Sequence, residues 1–268
     1  GLSFIKLNLI LTFGISFIAM IISCIAAPEE PLRVKPPKVN PFSQIFEAFK
    51  KIPRPFARII LPFFFANGAI FPFYMQFTDF MGRLFEKEYM IYDDGIKHAM
   101  LCLSVNNAIQ LVYSFLNNRV CDLIGMKWTM IIGNAILGVC LLLFEFIRER
   151  YAYFAIIGIL GFSQVIFQTV PFAIVSLVIP TEELGSNFGI LNCFCVIGQQ
   201  LTNWGFGLLV DHVYPNDPFA VRKKISYSSS FGFLATIASF WIIQPTLAET
   251  GQYQQIPDES GAAVEYAE

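Results

Sequence analysis

The chain has 268 residues, of which 55% are hydrophobic and 14% are charged, and its formal net charge is −2. A soluble domain of this size would have about a quarter of its residues charged, and nucleic-acid binding needs a concentrated basic surface. The composition therefore excludes an ordinary soluble domain and a nucleic-acid partner, and it indicates a membrane protein.

The apolar residues fall in blocks about as long as a bilayer is thick, and they do not alternate with polar residues as barrel strands do. Because lipid offers no hydrogen bonds to the backbone, such blocks must be helices. We predict an all-α membrane protein. Its seven predicted spans are residues 3–27, 56–79, 99–117, 128–147, 151–180, 184–210 and 227–248. The first residue is Gly rather than Met, so we expect a fragment of a longer chain.

The longest polar connection, residues 28–55, begins with a Pro-rich piece and continues into a predicted amphipathic surface helix. Seven basic residues in or just after this connection place it in the cytoplasm by the positive-inside rule. The remaining connections would then alternate: residues 83–97, 148–150 and 211–226 outside, residues 118–127 and 181–185 inside, and the acidic tail 249–268 cytoplasmic.

An acid and a base appear at the end of the second predicted span. Asp79 and Arg83 are four residues apart, so they can share one face of a helix. Ionisable residues at the rim of a span suggest a functional site, because lipid makes them costly. The alternative is an interfacial salt bridge whose long basic side chain reaches water.

Side-chain amides concentrate in the third, fifth and sixth spans. A buried amide in lipid costs free energy unless it finds a partner or water. The amide-rich spans therefore predict a wet cavity, with the amide-poor fourth and seventh spans toward lipid. For any single amide, a hydrogen bond between helices is the simpler explanation. The candidate cavity residues are Asn107, Gln110, Gln164, Gln168, Gln199 and Asn203.

Several catalytic patterns are missing from the sequence. It has no Gly-rich phosphate loop, His-Glu-x-x-His or Gly-x-Ser-x-Gly, so we predict no enzyme, metal site or cofactor. The two histidines, His98 and His212, are interpreted as solvated residues near outer loops. The six cysteines are interpreted as small core residues.

The connection between the third and fourth spans is short and charged. Gly125 allows a sharp reversal, Asp122 can meet a helix N-terminus, and Arg119 and Lys127 suit cytoplasmic headgroups. Taken alone, this pattern is typical of any turn between helices.

The same connection resembles the loop signature of the major facilitator superfamily, Gly-x-x-x-Asp-Arg-x-Gly-x-Arg/Lys, with Asn118 at the first Gly and Leu123 at the central base. Two further segments, Ile52-Pro53-Arg54-Pro55 and Thr78-Asp79-Phe80-Met81-Gly82-Arg83, resemble plant sucrose/proton symporters and the animal proton-associated sugar transporters. Later similarity lies in 171–173, 189–192 and Gln199-Gln200, and the whole resemblance covers about residues 41–245.

This resemblance implies twelve helices in two six-helix halves, with substrate bound between the halves. Under it, residues 1–27 are the last helix of the N-terminal half, residues 28–55 the central cytoplasmic loop, residues 56–248 the C-terminal six-helix bundle and residues 249–268 a cytoplasmic tail. The turn with Arg119, Asp122, Gly125 and Lys127 would be a cytoplasmic gating element.

The resemblance also implies a function: a secondary active transporter of sucrose-like sugars or related small polar solutes, coupled to protons and working by alternating access. Asp79 and Arg83 match residues implicated in sugar binding and coupling, with Asp79 orienting Arg83. The partners would be a sugar, the proton, the bilayer and the missing N-terminal half.

The sequence departs from the plant pattern Asp-Thr-Asp-Trp-Met-Gly-Arg-Glu at three positions, where it has Phe77, Phe80 and Leu84. Two of these replacements remove acids. They favour the alternative hypothesis, a non-transporting membrane sensor or scaffold on the same fold.

Overall fold

In the computed structural model, residues 4–26, 52–180, 183–215, 217 and 220–243 are described. All regular structure in these ranges is helical. The helices are α1 Phe4–Ala26, α2 Arg54–Tyr89, α3 Tyr92–Ile124, α4 Met126–Phe146, α5 Ala152–Val178, α6 Leu184–Val213 and α7 Ala220–Ser239. The all-α prediction is confirmed. Two predictions lie outside the described residues: the surface helix within 28–55 and the tail from Glu249.

The chain forms two compact units, one of residues 1–41 and one of residues 42–268. In the first, α1 is a 23-residue apolar helix. Phe13 and Phe17 stack along it with ring centroids 6.0 Å apart. The second unit contains α2 to α7.

The helices α2 and α3 are longer than their predicted spans and are separated by a two-residue turn. The predicted outer loop 83–97 is therefore wrong: α2 continues to Tyr89, and α3 starts at Tyr92. Met90 ends α2 in the left-handed conformation (φ 61°), and its N–H bonds to the carbonyl of Glu86 at 2.9 Å. At the end of α2, Glu86, Lys87 and Glu88 have good helix propensity. At the start of α3, Asp93 and Asp94 lie in the first turn, where negative charge favours a helix.

The predicted connection 118–127 is also shorter than expected, because only Gly125 separates α3 from α4. Its φ of 84° and ψ of 148° are accessible to glycine without strain. Its N–H bonds to the carbonyl of Cys121, and its carbonyl accepts the N–H of Thr129. Arg119 and Asp122 thus lie on the last turns of α3, and Lys127 lies on the first turn of α4.

Five helices, α2 to α6, are long and apolar enough to cross a membrane by length and composition. The last helix, α7, begins at Ala220 and ends at Ser239, whereas the prediction was 227–248. Unlike the five helices above, α7 is not apolar over a length that would cross a membrane, because every such stretch of it contains Arg222, Lys223 and Lys224.

Within the second unit, α2 packs against α3, α6 and α7, and α4 packs against α5 and α7. Glycines allow the closest crossings, as is usual between membrane helices. A Cβ at Gly198 of α6 would lie 2.5 Å from the carbonyl oxygen of Phe64 in α2, and a Cβ at Gly232 of α7 would lie 2.6 Å from Cα of Gly138 in α4.

The amide-rich helices α3 and α6 are the least covered. In the most apolar stretch of α6 only 17% of residues are buried, compared with 67% in α5. The amide-poor α4, which we expect to face lipid, is exposed on part of its surface. Ile132 and Val139 are exposed, while Asn134 is buried and bonds to Ser239 of α7 at 2.9 Å.

Candidate functional site

The acid and base at the end of the second predicted span form an ion pair. Arg83 Nε donates to Asp79 Oδ2 at 2.9 Å, and the two side chains are 44% and 33% exposed. The hydroxyl of Tyr92, from the first turn of α3, donates to the other carboxylate oxygen at 2.8 Å. Both oxygens of Asp79 therefore have a donor, one from α2 and one from α3.

Two glycines bring the helices close enough for this contact. A Cβ at Gly82 would lie 2.5 Å from the ring of Tyr92, and a Cβ at Gly95 would lie 2.7 Å from Cα of Gly82. Because both glycines lack side chains, the first turn of α3 lies against α2 and the Tyr92 ring lies over Gly82.

A second polar group lies between α2, α3 and α5. Gln110 of α3 donates to Gln164 of α5 and to Asn106, both at 2.5 Å. The Tyr74 hydroxyl of α2 donates to the same Gln164 oxygen at 2.8 Å. Asn106 in turn donates to the Ile157 carbonyl at 2.7 Å. We call Tyr74, Asn106, Gln110 and Gln164 the amide cluster.

The amide cluster combines buried and open positions. Gln164 and Asn106 are buried, whereas Tyr74 is 40% exposed. Among the described residues, Gln164 Nε2 has no hydrogen-bond partner. An unused donor at a buried amide costs free energy. In the described ranges Asn117 Oδ1 and Asn134 Oδ1 are likewise buried without a partner, so the partly exposed Tyr74, rather than the unused donor, sets this group apart.

The other predicted cavity residues are only partly brought together. Asn107 and Gln168 are exposed on α3 and α5, each on the open side of its helix. Gln199 and Asn203 are half-buried on α6, and Gln199 donates to Cys195 Sγ at 3.3 Å.

The charged pair and the amide cluster are separate groups. From Tyr92 to Gln110 is eighteen residues along α3, or about 27 Å of helix. Eighteen residues are five full turns, so both side chains lie on the same face of α3. The predicted site therefore divides into a group near the α2–α3 turn and a group deep along the same face.

Sequence reasoning missed Tyr92 and Tyr74. Tyr92 was hidden because its segment was predicted as a loop. The only sequence feature that could have identified Tyr74 is its hydroxyl group, because few residues in that apolar run carry one.

The prediction of a solvated His98 is wrong. This residue packs against Phe85 and Phe154 with ring centroids 5.2 and 4.8 Å away, and its Nε2 lies 3.1 Å from the Arg150 carbonyl. The cysteine prediction holds for the buried Cys102 and Cys140 but not for the exposed Cys24 and Cys193.

The long apolar helices with polar groups between them define a multi-pass membrane protein. Residues 86–259, more than half of the chain, match the sequence model of the Major Facilitator Superfamily, and the chain belongs to that family.

Comparison with curated proteins agrees with this assignment. The chain is 28% identical over 188 residues to sucrose transport protein SUC4 of Arabidopsis thaliana, covering 62% of this chain and 37% of the relative. It is 27% identical over 167 residues to sucrose transport protein SUC3 of the same plant, covering 51% and 28%. It is 23% identical over 162 residues to a membrane-associated transporter protein of Mus musculus, covering 50% and 31%.

The chain thus spans about a third of the length of the curated relatives it matches. The family resemblance drawn from Thr78 to Arg83 and from the Gly125 turn is confirmed, at modest identity.

Proposed function

We propose that this chain provides the C-terminal half of a secondary transporter for sugars or related small polar solutes, working by alternating access. In this proposal α1 is the last helix of the N-terminal half, residues 28–55 are the central cytoplasmic loop, α2 to α7 are the C-terminal bundle and residues 249–268 are the cytoplasmic tail. The Major Facilitator Superfamily is a family of transporters rather than enzymes, and two relatives are named sucrose transport proteins.

The amide cluster is the observation that carries the proposal. Sugar hydroxyls both donate and accept hydrogen bonds, so a sugar site needs both kinds of partner. Gln110 and Gln164 supply carbonyl and amino groups on facing helices, and Tyr74 adds a hydroxyl on a partly open surface.

The open faces of α3, α5 and α6 are suited to a cavity that a second half of the protein completes. Asn107, Gln168, Gln199 and Asn203 are exposed or half-buried on these helices. A polar side chain in contact with lipid is costly, so a water-filled interface between two halves explains these residues better than lipid does.

Asp79 and Arg83 are proposed as the coupling and gating pair at the outer end. Within the described residues the pair uses Arg83 Nε, which leaves the terminal nitrogens of the guanidinium to face solvent or solute. A guanidinium donates two parallel hydrogen bonds to neighbouring oxygens. The proton is the coupling ion that we propose, and the turn with Arg119, Asp122, Gly125 and Lys127 is the proposed cytoplasmic gate.

Uptake by the full-length protein tests this function. Cells without endogenous sugar uptake would express the wild type, Arg83→Lys and Arg83→Ala, and uptake of a panel of radiolabelled sugars would be measured at pH 5.5 and 7.5. We expect accumulation of at least one sugar, faster at the lower pH, with a large loss in both variants. Sugar binding without accumulation under a proton gradient would favour the sensor hypothesis instead.

A further inference from the structure

We propose that Tyr92 is the positioning residue of the Asp79–Arg83 pair: its hydroxyl holds the Asp79 carboxylate in the orientation that keeps Arg83 in place. The role of the pair in sugar transport rests on the proposed function. The positioning itself rests on geometry alone, so the two can be tested separately.

The carboxylate of Asp79 is held at both oxygens. Arg83 Nε bonds Oδ2 at 2.9 Å, and the Tyr92 hydroxyl bonds Oδ1 at 2.8 Å. One donor comes from the next turn of α2 and the other from α3, so the carboxylate cannot rotate without breaking a bond to one helix. Hydrogen bonds to a charged group are the stronger class.

The position of the Tyr92 ring is fixed by the backbone around it. Gly95 is three residues after Tyr92, on the same face of α3, and lies against Cα of Gly82. Gly82 in turn leaves the space that the Tyr92 ring fills, since a Cβ there would be 2.5 Å from the ring. The ring packing sets where the hydroxyl points, and a phenylalanine would keep the packing and lose only the hydroxyl.

Removal of the Tyr92 hydroxyl would allow Arg83 to pair with either of two carboxylates, Asp79 or Glu86. Glu86 is three residues after Arg83 and exposed, so it lies within helical pairing distance. With Tyr92 present, Asp79 is fixed and remains the partner of Arg83. Without it, the carboxylate is free to rotate toward water, and Arg83 gains mobility or turns to Glu86.

The test measures Arg83 directly in the purified full-length protein. Phenylglyoxal modifies arginine side chains, and peptide mass spectrometry gives the rate at Arg83 alone. We expect Tyr92→Phe to raise this rate about three- to tenfold, the effect of losing one typical hydrogen bond in a partly exposed pair. The double variant Asp79→Asn/Tyr92→Phe should react no faster than Asp79→Asn, because Tyr92 acts through Asp79.

Tyr151→Phe is the matched control. It removes another tyrosine hydroxyl that bonds an arginine, Arg150 Nη2 at 3.0 Å, and should leave the Arg83 rate unchanged. A Tyr92→Phe protein with the wild-type labelling rate at Arg83 overturns the inference. If that rate is unchanged and only the melting temperature falls, Tyr92 stabilises the contact between α2 and α3 without positioning Arg83.

Transport kinetics test whether the positioning of Arg83 by Tyr92 affects sugar binding. We expect Tyr92→Phe to raise KM for sucrose about three- to tenfold with Vmax within about twofold of wild type. If the wild type takes up no sugar, the proposed function fails, and the Arg83 labelling rate alone decides the role of Tyr92.

Discussion

At the scale of single residues, the polar groups of α2 to α7 follow two patterns. Asn134 and Ser239 bond to each other in the interior and join α4 to α7. Gln110 and Gln164 also bond across helices, but the partly exposed Tyr74 joins them, whereas Asn134 and Ser239 are both fully buried. The first pattern is typical of bonds that hold helices together, and the second is typical of a binding site.

If the proposed function holds, Gln164→Leu in the full-length protein affects solute binding more than folding. The change keeps the side-chain volume similar and removes both the acceptor of Tyr74 and the unused donor. We expect KM for the transported sugar to rise about tenfold, the effect of losing one to two hydrogen bonds, with cell-surface abundance within about twofold of wild type.

Asn134→Leu is the control for that experiment. Asn134 is also a buried amide that bonds across helices, but it lies between α4 and α7, outside the amide cluster, and the change should leave KM unchanged. Equal KM values for wild type and Gln164→Leu would mean that the amide cluster does not bind the solute.

Which amides meet could not be predicted from the sequence. The helical spacing placed Gln164 and Gln168 on neighbouring turns, yet Gln164 is buried against α3 while Gln168 is exposed. The difference depends on how α5 is rotated against α3, and the close contact of Gly161 with Asn106 sets that rotation. Such a contact depends on tertiary packing that spacing alone does not encode.

At the scale of elements, the number and order of the helices were predictable but many of their ends were not. Hydropathy measures how much of a helix fits a bilayer, so the predicted second span ended at Asp79 and the third began at Ala99. The helices continue through charged residues on both sides of Met90, since nothing there breaks a helix. α7 was misplaced for the same reason, because its first turn is basic.

The glycine crossing between α2 and α6 gives a prediction at this scale. Gly198→Ala places a Cβ against the Phe64 carbonyl, and overpacking of this kind costs about 1–3 kcal/mol. We expect a lower melting temperature for the purified protein, measured by thermal unfolding in detergent.

Gly205→Ala serves as its control on the same helix. A Cβ there would have no atom within 4 Å among the described residues, and alanine favours a helix over glycine by about 1 kcal/mol. Its melting temperature should equal or exceed that of wild type. If both variants melt at the same temperature, the close crossing at Gly198 is not present in solution.

At the scale of the whole molecule, the family was recognisable from short motifs at the helix ends. The segment Thr78 to Arg83 and the turn at Gly125 carried the resemblance. The family match over residues 86–259 includes the Gly125 turn and confirms the family. Those motifs do not encode the substrate, which in the proposed transporter would depend on side chains from both halves.

The proposed topology places the α2–α3 turn outside and the Gly125 turn in the cytoplasm. Cysteine introduced at Glu86 should react with a membrane-impermeant thiol reagent added to intact cells, whereas cysteine at Asp122 should react after the cells are made permeable. Both positions are exposed at helix ends. The reverse pattern would invert the orientation derived from the basic connection 28–55.

Cysteine accessibility measures whether the amide cluster faces an aqueous, solute-accessible cavity, as we propose. In the full-length protein with its native cysteines replaced, we expect Asn107→Cys and Gln168→Cys to react with a water-soluble thiol reagent, with sucrose slowing the reaction about threefold or more at saturating concentration. Ile132→Cys, on the exposed apolar face of α4, should not react. Unreactive cysteines at both amide positions, or reaction equal to that at Ile132, would contradict the account.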